Sequence, residues 1–416
     1  MTSRPPSLGA AFWSWYEADS DACCLIDPGY ISYSRADFAR MTQGAAQRLA
    51  DLGVGAGDRV LALAENHVGL LAGIFGCWHE GAIVAPFDPT NTGQGFQETV
   101  RRVDPAVVIV DDSSPSALGR STVHVEELAA ASPTRSAEPR WHDGRAISTL
   151  IFSSGTTGAP KACALSNEYL VWVGESIIAM SGFRDDDRML TLGPFHHSSA
   201  FSYFAPSVLR GTPHAFDVRF SASRFWERVR RVEATAFDYI GAIVAILLRT
   251  AGVGAPSLRV ALGSGARAAD AIAFEERFGV PLIECYGLTE CLVPIYQSYA
   301  TRRPGCVGHL SDVFEARLVD EHRVDVPDGE AGELLLLPKE KRTVFDGYWG
   351  DEQATADAFA DGWFRTRDLL RRDEDGQFVF VDRLGQVIRR RGENISAWEL
   401  EGTLLQHPAI RLCAAI

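Results

Sequence analysis

A loop rich in hydroxyl side chains lies just past one third of the chain. Residues 153–161, SSGTTGAPK, combine four hydroxyls, two glycines and one lysine. Glycines let backbone N–H groups approach an anion, hydroxyls add donors, and lysine adds a compact cation, so the loop could bind a polyphosphate. The Walker spacing is not met, because Lys161 follows proline and precedes alanine. From local composition alone, a polar turn after a strand is an equally good interpretation. The candidate phosphate-binding residues are Ser153, Ser154, Gly155, Thr156, Thr157, Gly158 and Lys161.

The elements around this loop alternate between short apolar strands and helices. Segments 58–64 and 106–112 are typical of buried strands, and residues 35–53 and 67–81 show helical spacing and end on glycine. The strand 148–154 leads into the loop. Such alternation predicts an α/β fold with parallel-rich sheets flanked by helices on both faces.

The pattern changes after about residue 305. Segments such as FEARLVDE, GELLLLPK and GQFVFVDR are typical of antiparallel strands. We therefore predict one large domain over residues 1–385, in which 305–385 form a smaller β-barrel-like subdomain. Residues 386–416 would begin something new, with a helix from Ala397.

Composition excludes several classes of partner. The chain has 416 residues and a net charge of −14, which argues against binding to nucleic acid or to an anionic membrane, because such binding calls for a basic face. The most apolar runs, such as 241–248, are too short for a membrane span. Eight scattered cysteines without a CxxC pair, and no secretory signal, predict a cytoplasmic protein. The oligomeric state stays open, and a homodimer is the commonest closed assembly.

Five segments, in this order, resemble the adenylate-forming superfamily, which includes acyl-CoA synthetases, aryl-CoA ligases, luciferases and peptide-synthetase adenylation domains. They are the helix–strand pattern at 58–89, the loop at 153–161, YGLTE at 286–290, DGWFRTRDL at 361–369 and the hinge segment at 382–401. The resemblance lies toward the carnitine-CoA-ligase-like or medium-chain acyl-CoA-ligase branch. It implies that residues 1–385 are an adenylation (AMP-binding) domain. Ordered motifs of this kind are more specific than any one alone.

The resemblance implies a reaction that joins a carboxylate to the α-phosphate of ATP and expels pyrophosphate. Two anions must meet, and at 4 Å two unit charges repel by about 4 kcal/mol at an effective dielectric of 20. The implied roles are Mg²⁺ binding by Glu290, donation to the α-phosphate by Thr289, adenine stacking on Tyr286 and ribose binding by Asp368 with help from Arg383. The remaining implied nucleotide contacts are Gly265, Ala266, Arg267, Glu284, Cys285 and Gly287.

The acid pocket rests on the segment GPFHHSSAFS at 193–202. His196 takes the position of the pocket histidine of acyl- and aryl-CoA ligases, which implies a catalytic role near the carboxylate and the thiol path. The implied pocket lining is His196, His197, Tyr239, Gly241 and Gly263. We see neither a cationic anchor for an amino-acid carboxylate nor an aspartate for its amino group, which weakens an amino-acid-activating reading.

Three departures from the family pattern stand out. Arg367 replaces the glycine that is common before the ribose aspartate, and Gly385 and Gln386 occupy hinge positions where Lys or Asp is frequent. The family's carboxy-terminal domain, with its catalytic lysine, is largely missing from the sequence after residue 386. We therefore expect slow adenylation by residues 1–416, with truncation as the preferred explanation.

The leading functional hypothesis is an AMP-forming acid–thiol ligase that uses ATP, Mg²⁺ and coenzyme A on a small-molecule carboxylic acid. One alternative is an adenylating enzyme that transfers its acyl group to a carrier-protein thiol or an amine. An alternative of another class is a non-catalytic nucleotide-binding protein, suggested by the absent domain. A coenzyme A dependence test and a search for acyl-AMP separate these hypotheses.

Overall fold

The computed structural model describes residues 4–91, 94–115, 119–134, 138–141, 143–153, 160–384, 388–390 and 393–395, with Leu404 and Ile410. Three features predicted from the sequence therefore lie outside the described residues. They are residues Ser154–Gly158 of the phosphate loop, the hinge residue Gln386 and the start of the helix from Ala397.

Helices occur throughout the described part of the chain. They are α1 (Leu8–Ala18), α2 (Arg35–Asp51), α3 (Val68–Glu80), α4 (Gln94–Val103), α5 (Val125–Ala130), α6 (Asn167–Ser181), α7 (Ser198–Arg210), α8 (Phe225–Val232), α9 (Gly241–Arg249), α10 (Ala268–Phe278) and α11 (Glu352–Ala358), with a 3₁₀ turn at Lys341–Thr343. The predicted helix at 67–81 does end at Gly81, which adopts a left-handed φ of 72°.

The strands are β1 (Cys23–Ile26), β2 (Ser32–Ser34), β3 (Arg59–Leu63), β4 (Ile83–Pro86), β5 (Val107–Val110), β6 (Ser121–His124), β7 (Ile147–Ser153), β8 (Lys161–Ser166), β9 (Met189–Thr191), β10 (His214–Phe216), β11 (Ala236–Ile240), β12 (Val260–Ser264), β13 (Leu282–Leu288), β14 (Cys291–Tyr296), β15 (His309–Leu310), β16 (Phe314–Val319), β17 (Gly332–Pro338), β18 (Phe359–Ala360), β19 (Trp363–Arg372), β20 (Phe378–Arg383), β21 (Ile388–Arg390) and β22 (Glu393–Ile395).

Two large sheets are parallel in their interior and carry antiparallel strands at one or both edges. One has the order β6-β5-β3-β4-β7-β8, and only its β7–β8 pair is antiparallel. The other has the order β15-β14-β13-β12-β11-β9-β10-β1-β2, with antiparallel strands at both ends. The predicted α/β class is confirmed. The antiparallel edge strands of these two sheets were not predicted.

Helix α3 lies between strand β7 of one sheet and helix α7. All its residues from Val68 to His79 are buried, as expected for a helix that is apolar on every side. Its Trp78 indole donates to the carbonyl oxygen of Ser148 on β7 at 3.2 Å. On the other side, the ring centroid of Phe75 lies 6.0 Å from that of Phe204 on α7.

The third sheet is antiparallel, with β16-β17-β19-β18 in order and β20 paired to β19. It falls inside the segment predicted as a β subdomain, whose limits as a domain stay a prediction. In the part of the chain described, no helix is long and apolar enough to cross a membrane.

Candidate active site

A tight hairpin at the end of β13 carries Thr289 and Glu290. Strand β13 bulges between Tyr286 and Leu288, where a Cβ on Gly287 would lie 1.9 Å from a carbonyl oxygen. The buried hydroxyl of Tyr169 holds the turn, because it donates to the Thr289 carbonyl at 3.0 Å and accepts from the backbone N–H of residue 292 at 2.9 Å. The fold thus fixes the position of both predicted catalytic side chains.

Glu290 receives a hydrogen bond from a tyrosine that the motifs did not identify. The hydroxyl of Tyr348 donates to Glu290 Oε1 at 2.6 Å, and the Glu290 side chain is 7% exposed. The hydroxyl of Thr289 donates to Ser198 Oγ at 3.3 Å. No local sequence pattern distinguishes Tyr348 from a tyrosine that only packs in the core. Its contact with Glu290 depends on the pairing of its backbone with strand β8, which is distant in the chain.

The two ends of the predicted phosphate loop meet at this cluster. Ser153 and Lys161 are directly opposite each other in the β7–β8 pair, so the loop between them joins two antiparallel strands. The Nζ of Lys161 lies 4.9 Å from the ring centroid of Tyr348. The structure therefore brings the predicted cation and the predicted metal ligand to one tyrosine.

The predicted ribose aspartate lies beside the predicted adenine tyrosine. The hydroxyl of Tyr286 donates to Asp368 Oδ2 at 2.7 Å, and both side chains are buried. Burial raises the pKa of Asp368 to about 6, and the charge of Glu290 adds to that rise. Arg383 is paired with Asp368 across β19 and β20, with its Nε 3.7 Å from Asp368 Oδ1. The ring of Phe380 stacks on Tyr286 with a centroid distance of 6.4 Å, a contact that the motifs did not indicate.

Glu284 organises the turn that follows β12. Its carboxylate accepts the Tyr239 hydroxyl at 2.6 Å and the backbone N–H groups of Gly265 and Ala266 at 2.9 and 3.2 Å. Burial raises the pKa of Glu284 to about 7, and these hydrogen bonds oppose the rise. The structure therefore gives Glu284 a positioning role beneath the predicted adenine contacts.

Two predicted pocket glycines allow backbone segments to approach closely. A Cβ on Gly241 would lie 1.8 Å from the Gly265 carbonyl oxygen, and one on Gly263 would lie 2.1 Å from the Tyr239 carbonyl oxygen. Both glycines lie at the carboxyl ends of parallel strands, where ligands bind in open α/β sheets. Arg267 follows this turn as the residue before α10 and makes no side-chain capping bond.

Cys285 lies apart from this group. Its Sγ is 3.6 Å from the Gly263 carbonyl and 3.9 Å from the Tyr203 hydroxyl. Neighbouring side chains of a strand point to opposite faces, so Cys285 faces away from Glu284 and Tyr286. A nucleotide contact at this position would have to use its backbone.

The two predicted pocket histidines have different surroundings. His197 caps α7, because its Nδ1 accepts from the backbone N–H of Ser199 at 3.3 Å. His196 is partly exposed, and burial lowers its pKa while the charge of Asp88 opposes that change. His197 is the more exposed of the two, but its Nδ1 is engaged in the helix cap, so His196 is the better candidate for contact with a ligand.

Two buried polar residues that the motifs missed hold the segment before His196. Asn66 accepts from the Phe195 N–H at 2.8 Å and donates to the Gly193 carbonyl at 2.9 Å. Asp238 accepts from the Leu192 N–H at 2.5 Å, and burial raises its pKa to about 7. In the sequence, both residues stand out only as polar residues at the end of, or within, an apolar strand segment.

The chain matches the AMP-binding enzyme family over residues 12–349, and it belongs to that family. A crotonobetaine/carnitine–CoA ligase from Salmonella paratyphi C (strain RKS4594) is 34% identical over 272 residues, which cover 63% of this chain and 52% of that protein. The chain thus spans about half the length of this relative. A feruloyl-CoA synthase from Amycolatopsis sp is 28% identical over 410 residues, covering 93% of this chain and 81% of that one.

The fold is similar to that of solved CoA synthetases. An O-succinylbenzoate coenzyme A synthetase from Bacillus subtilis, in complex with ATP and a magnesium ion, superposes with a TM-score of 0.87 at 24% sequence identity. The superposition covers 96% of this chain and 85% of that chain. This likeness confirms the predicted architecture.

Proposed function

We propose that the protein is an ATP-dependent acid–thiol ligase, which converts a carboxylic acid to its acyl-AMP and passes the acyl group to coenzyme A. The observation that carries this proposal is the cluster of Glu290, Tyr348 and Lys161 at the two ends of the hydroxyl-rich loop. The pair of Asp368 and Tyr286 lies close enough for the charge of Glu290 to act on Asp368. A nucleotide with its ribose at Asp368 would thus have its phosphates near Lys161.

In the first step, a carboxylate oxygen attacks the α-phosphorus of ATP. The bond from the α-phosphorus to the bridging oxygen breaks, and pyrophosphate leaves with the electron pair. Lys161 supplies positive charge for the leaving group, and Thr289 supplies a hydroxyl donor for the α-phosphate. In the second step, the thiolate of coenzyme A attacks the acyl carbon and AMP leaves.

The residues present fit a magnesium ion. Mg²⁺ is usually held by one or two carboxylates and by substrate phosphates, and Glu290 provides a buried carboxylate that contacts Tyr348, the same tyrosine that Lys161 approaches. Among the described residues, no cluster of three or more His, Cys, Asp or Glu side chains suits a metal. Bound there, the ion would neutralise phosphate charge.

For the acid, we propose a small carboxylic acid that enters beside His196. Support comes from the partly exposed His196, which the Asn66 and Asp238 hydrogen bonds hold in place. The names of the two relatives specify a carnitine-type acid and ferulic acid, so both classes belong in a substrate screen. A homodimer, a carrier-protein acceptor and a cytoplasmic location stay predictions, and the last agrees with seven free cysteines in the described residues.

The test is a screen of carboxylic acids for pyrophosphate release with ATP and Mg²⁺, followed by mass spectrometry for acyl-AMP. We expect release that depends on one class of acid, and AMP formation that accelerates with coenzyme A. Nucleotide binding without acyl-AMP for any acid would contradict the proposal. Acyl-AMP that reacts with an amine or a carrier thiol but not with coenzyme A would contradict its second step.

A further inference from the structure

Arg367 is unusual among the described residues with positive φ. Six non-glycine residues have φ between 46° and 68°. Five lie in turns or after helices, where this conformation is common, namely Tyr30, Asp104, Glu233, Arg323 and Asp361. Arg367, with φ of 59°, lies inside strand β19. Left-handed backbone is unfavourable for residues with a Cβ, and such outliers cluster at functional sites.

A bulge in β19 explains how the strand accommodates Arg367. Residue Leu335 of β17 is opposite Arg365, and Glu333 is opposite Leu369, so three residues of β19 stand against Leu334 alone. The Thr366 hydroxyl closes the bulge with a 2.8 Å hydrogen bond to the carbonyl oxygen of Leu334. Bulges of this kind redirect side chains and often lie next to active sites.

The bulge leaves the Arg367 side chain exposed between two buried neighbours, Thr366 and Asp368. Its guanidinium makes no ion pair or hydrogen bond to another described residue. Burial and the charge of Glu290 raise the pKa of Tyr348 well above its usual value, and the positive charge of Arg367 opposes that rise. Arg367 therefore lies within electrostatic reach of the tyrosine that Lys161 also approaches.

We propose that Arg367 binds the β- and γ-phosphates of ATP as a second cation beside Lys161. The inference rests on the proposed function, because it needs ATP at Asp368 and Glu290. A triphosphate carries about four negative charges, and an exposed guanidinium binds phosphate oxygens with two parallel donors. The family motif that this segment resembles has glycine at position 367, where a left-handed backbone is not strained. In this chain, the phosphate contact of Arg367 would offset the strain of its left-handed backbone.

The test measures the affinity of a non-cleavable ATP analogue with Mg²⁺, and of AMP, by titration calorimetry. The variants are Arg367→Gly, which removes both charge and strain, and Arg367→Gln, which removes the charge alone. The matched control is Arg323→Gly, which has φ of 62° in a surface turn between β16 and β17. We expect both Arg367 variants to bind the ATP analogue roughly tenfold more weakly, as for one lost charge-assisted contact. AMP affinity should be unchanged in them, and the control should bind both ligands normally.

Equal weakening of AMP and ATP binding in Arg367→Gln would overturn the phosphate assignment, because a shape effect would then explain the loss. Unchanged binding of the ATP analogue in both Arg367 variants would overturn the role of Arg367 while leaving the proposed function intact. Wild-type protein that binds no ATP would overturn the proposed function and this role together.

Discussion

Three tyrosine hydroxyls each donate to a buried carboxylate of the candidate site. Tyr348 donates to Glu290, and Tyr286 donates to Asp368, with distances of 2.6 and 2.7 Å. The third pair, Tyr239 and Glu284, has a distance of 2.6 Å. Each hydrogen bond satisfies a charge that burial would otherwise leave costly, and it fixes the direction of the carboxylate.

The first prediction concerns Glu290→Gln. Glutamine keeps an oxygen that accepts from Tyr348 but loses the charge that would bind Mg²⁺, so the fold should persist. We expect acid-dependent pyrophosphate release to fall by roughly 10²–10³-fold, as for a lost electrostatic contact in a transition state. The measurement is the initial rate as Mg²⁺ is varied.

Tyr348→Phe is the matched control for that variant. It removes the hydroxyl and leaves the carboxylate of Glu290, so the rate should fall less. A Glu290→Gln enzyme that releases pyrophosphate at the wild-type rate would show that Glu290 is not the metal ligand.

The second prediction concerns the protonation of Asp368. Its pKa is about 6, and only the ionised carboxylate accepts a hydrogen bond at each oxygen from a ribose diol. AMP affinity should therefore fall as the pH drops through about 6. Asp368→Asn should bind AMP weakly with little change over that range, and calorimetric titrations at several pH values measure both. A pH-independent wild-type affinity would show that Asp368 does not contact the ribose.

At the scale of elements, the site depends on close approach between the ends of neighbouring strands. We predict that Gly241→Ala destabilises the protein by roughly 1–3 kcal/mol, because the new Cβ would lie 1.8 Å from the Gly265 carbonyl oxygen. Urea denaturation measures the change in the free energy of unfolding. Gly55→Ala is the control, since its Cβ would meet its nearest atom, Asp58 Oδ2, at an ordinary 3.7 Å. Equal effects of the two substitutions would contradict this account.

Much of the element order could be predicted from the sequence. Short apolar runs gave strands β3 and β5, and a glycine after a periodic segment marked the end of α3, because these signals depend on local residues. The contact from Tyr348 to Glu290 could not be predicted. It depends on β8 pairing with the backbone at Tyr348, far away in the chain, and no local pattern records that pairing.

The same limit applies within the site. The family resemblance assigned Tyr286 to adenine and Asp368 to the ribose, but it did not predict the hydrogen bond between them. The roles of Asn66 and Asp238 were not identified, because a polar residue near a strand end has many structural uses. The bulge at Arg367 was equally hidden, since only the register between β17 and β19 defines it.

At the scale of the whole molecule, buried carboxyls link stability to pH. The pKa of Glu284 is raised to about 7 in the folded protein, above its unfolded value. The stability from its protonated form is therefore fully present below about pH 4.5 and is lost as pH rises through about 7. Glutamine at this position does not titrate. We therefore compare the free energy of unfolding of Glu284→Gln with that of wild type at two pH values. We predict that the variant gains stability relative to wild type when the pH is raised from 5 to 8.

Urea denaturation at both pH values measures this prediction. The exposed Glu374→Gln serves as a surface control that should show a smaller pH-dependent difference. A difference for Glu284→Gln that is the same at pH 5 and pH 8 would contradict the link between its burial and the stability of the fold.

The hydrogen bond from Tyr286 to Asp368 joins the nine-stranded sheet to the antiparallel sheet. A nucleotide held by both residues would therefore bridge two separate sheets. Nucleotide binding would then stabilise the contact between the two sheets. Because a coupling free energy is reciprocal, a more stable contact between the sheets would also raise the affinity for the nucleotide. We expect adenosine nucleotides to slow amide hydrogen exchange along β19, even at residues too remote to touch the ligand.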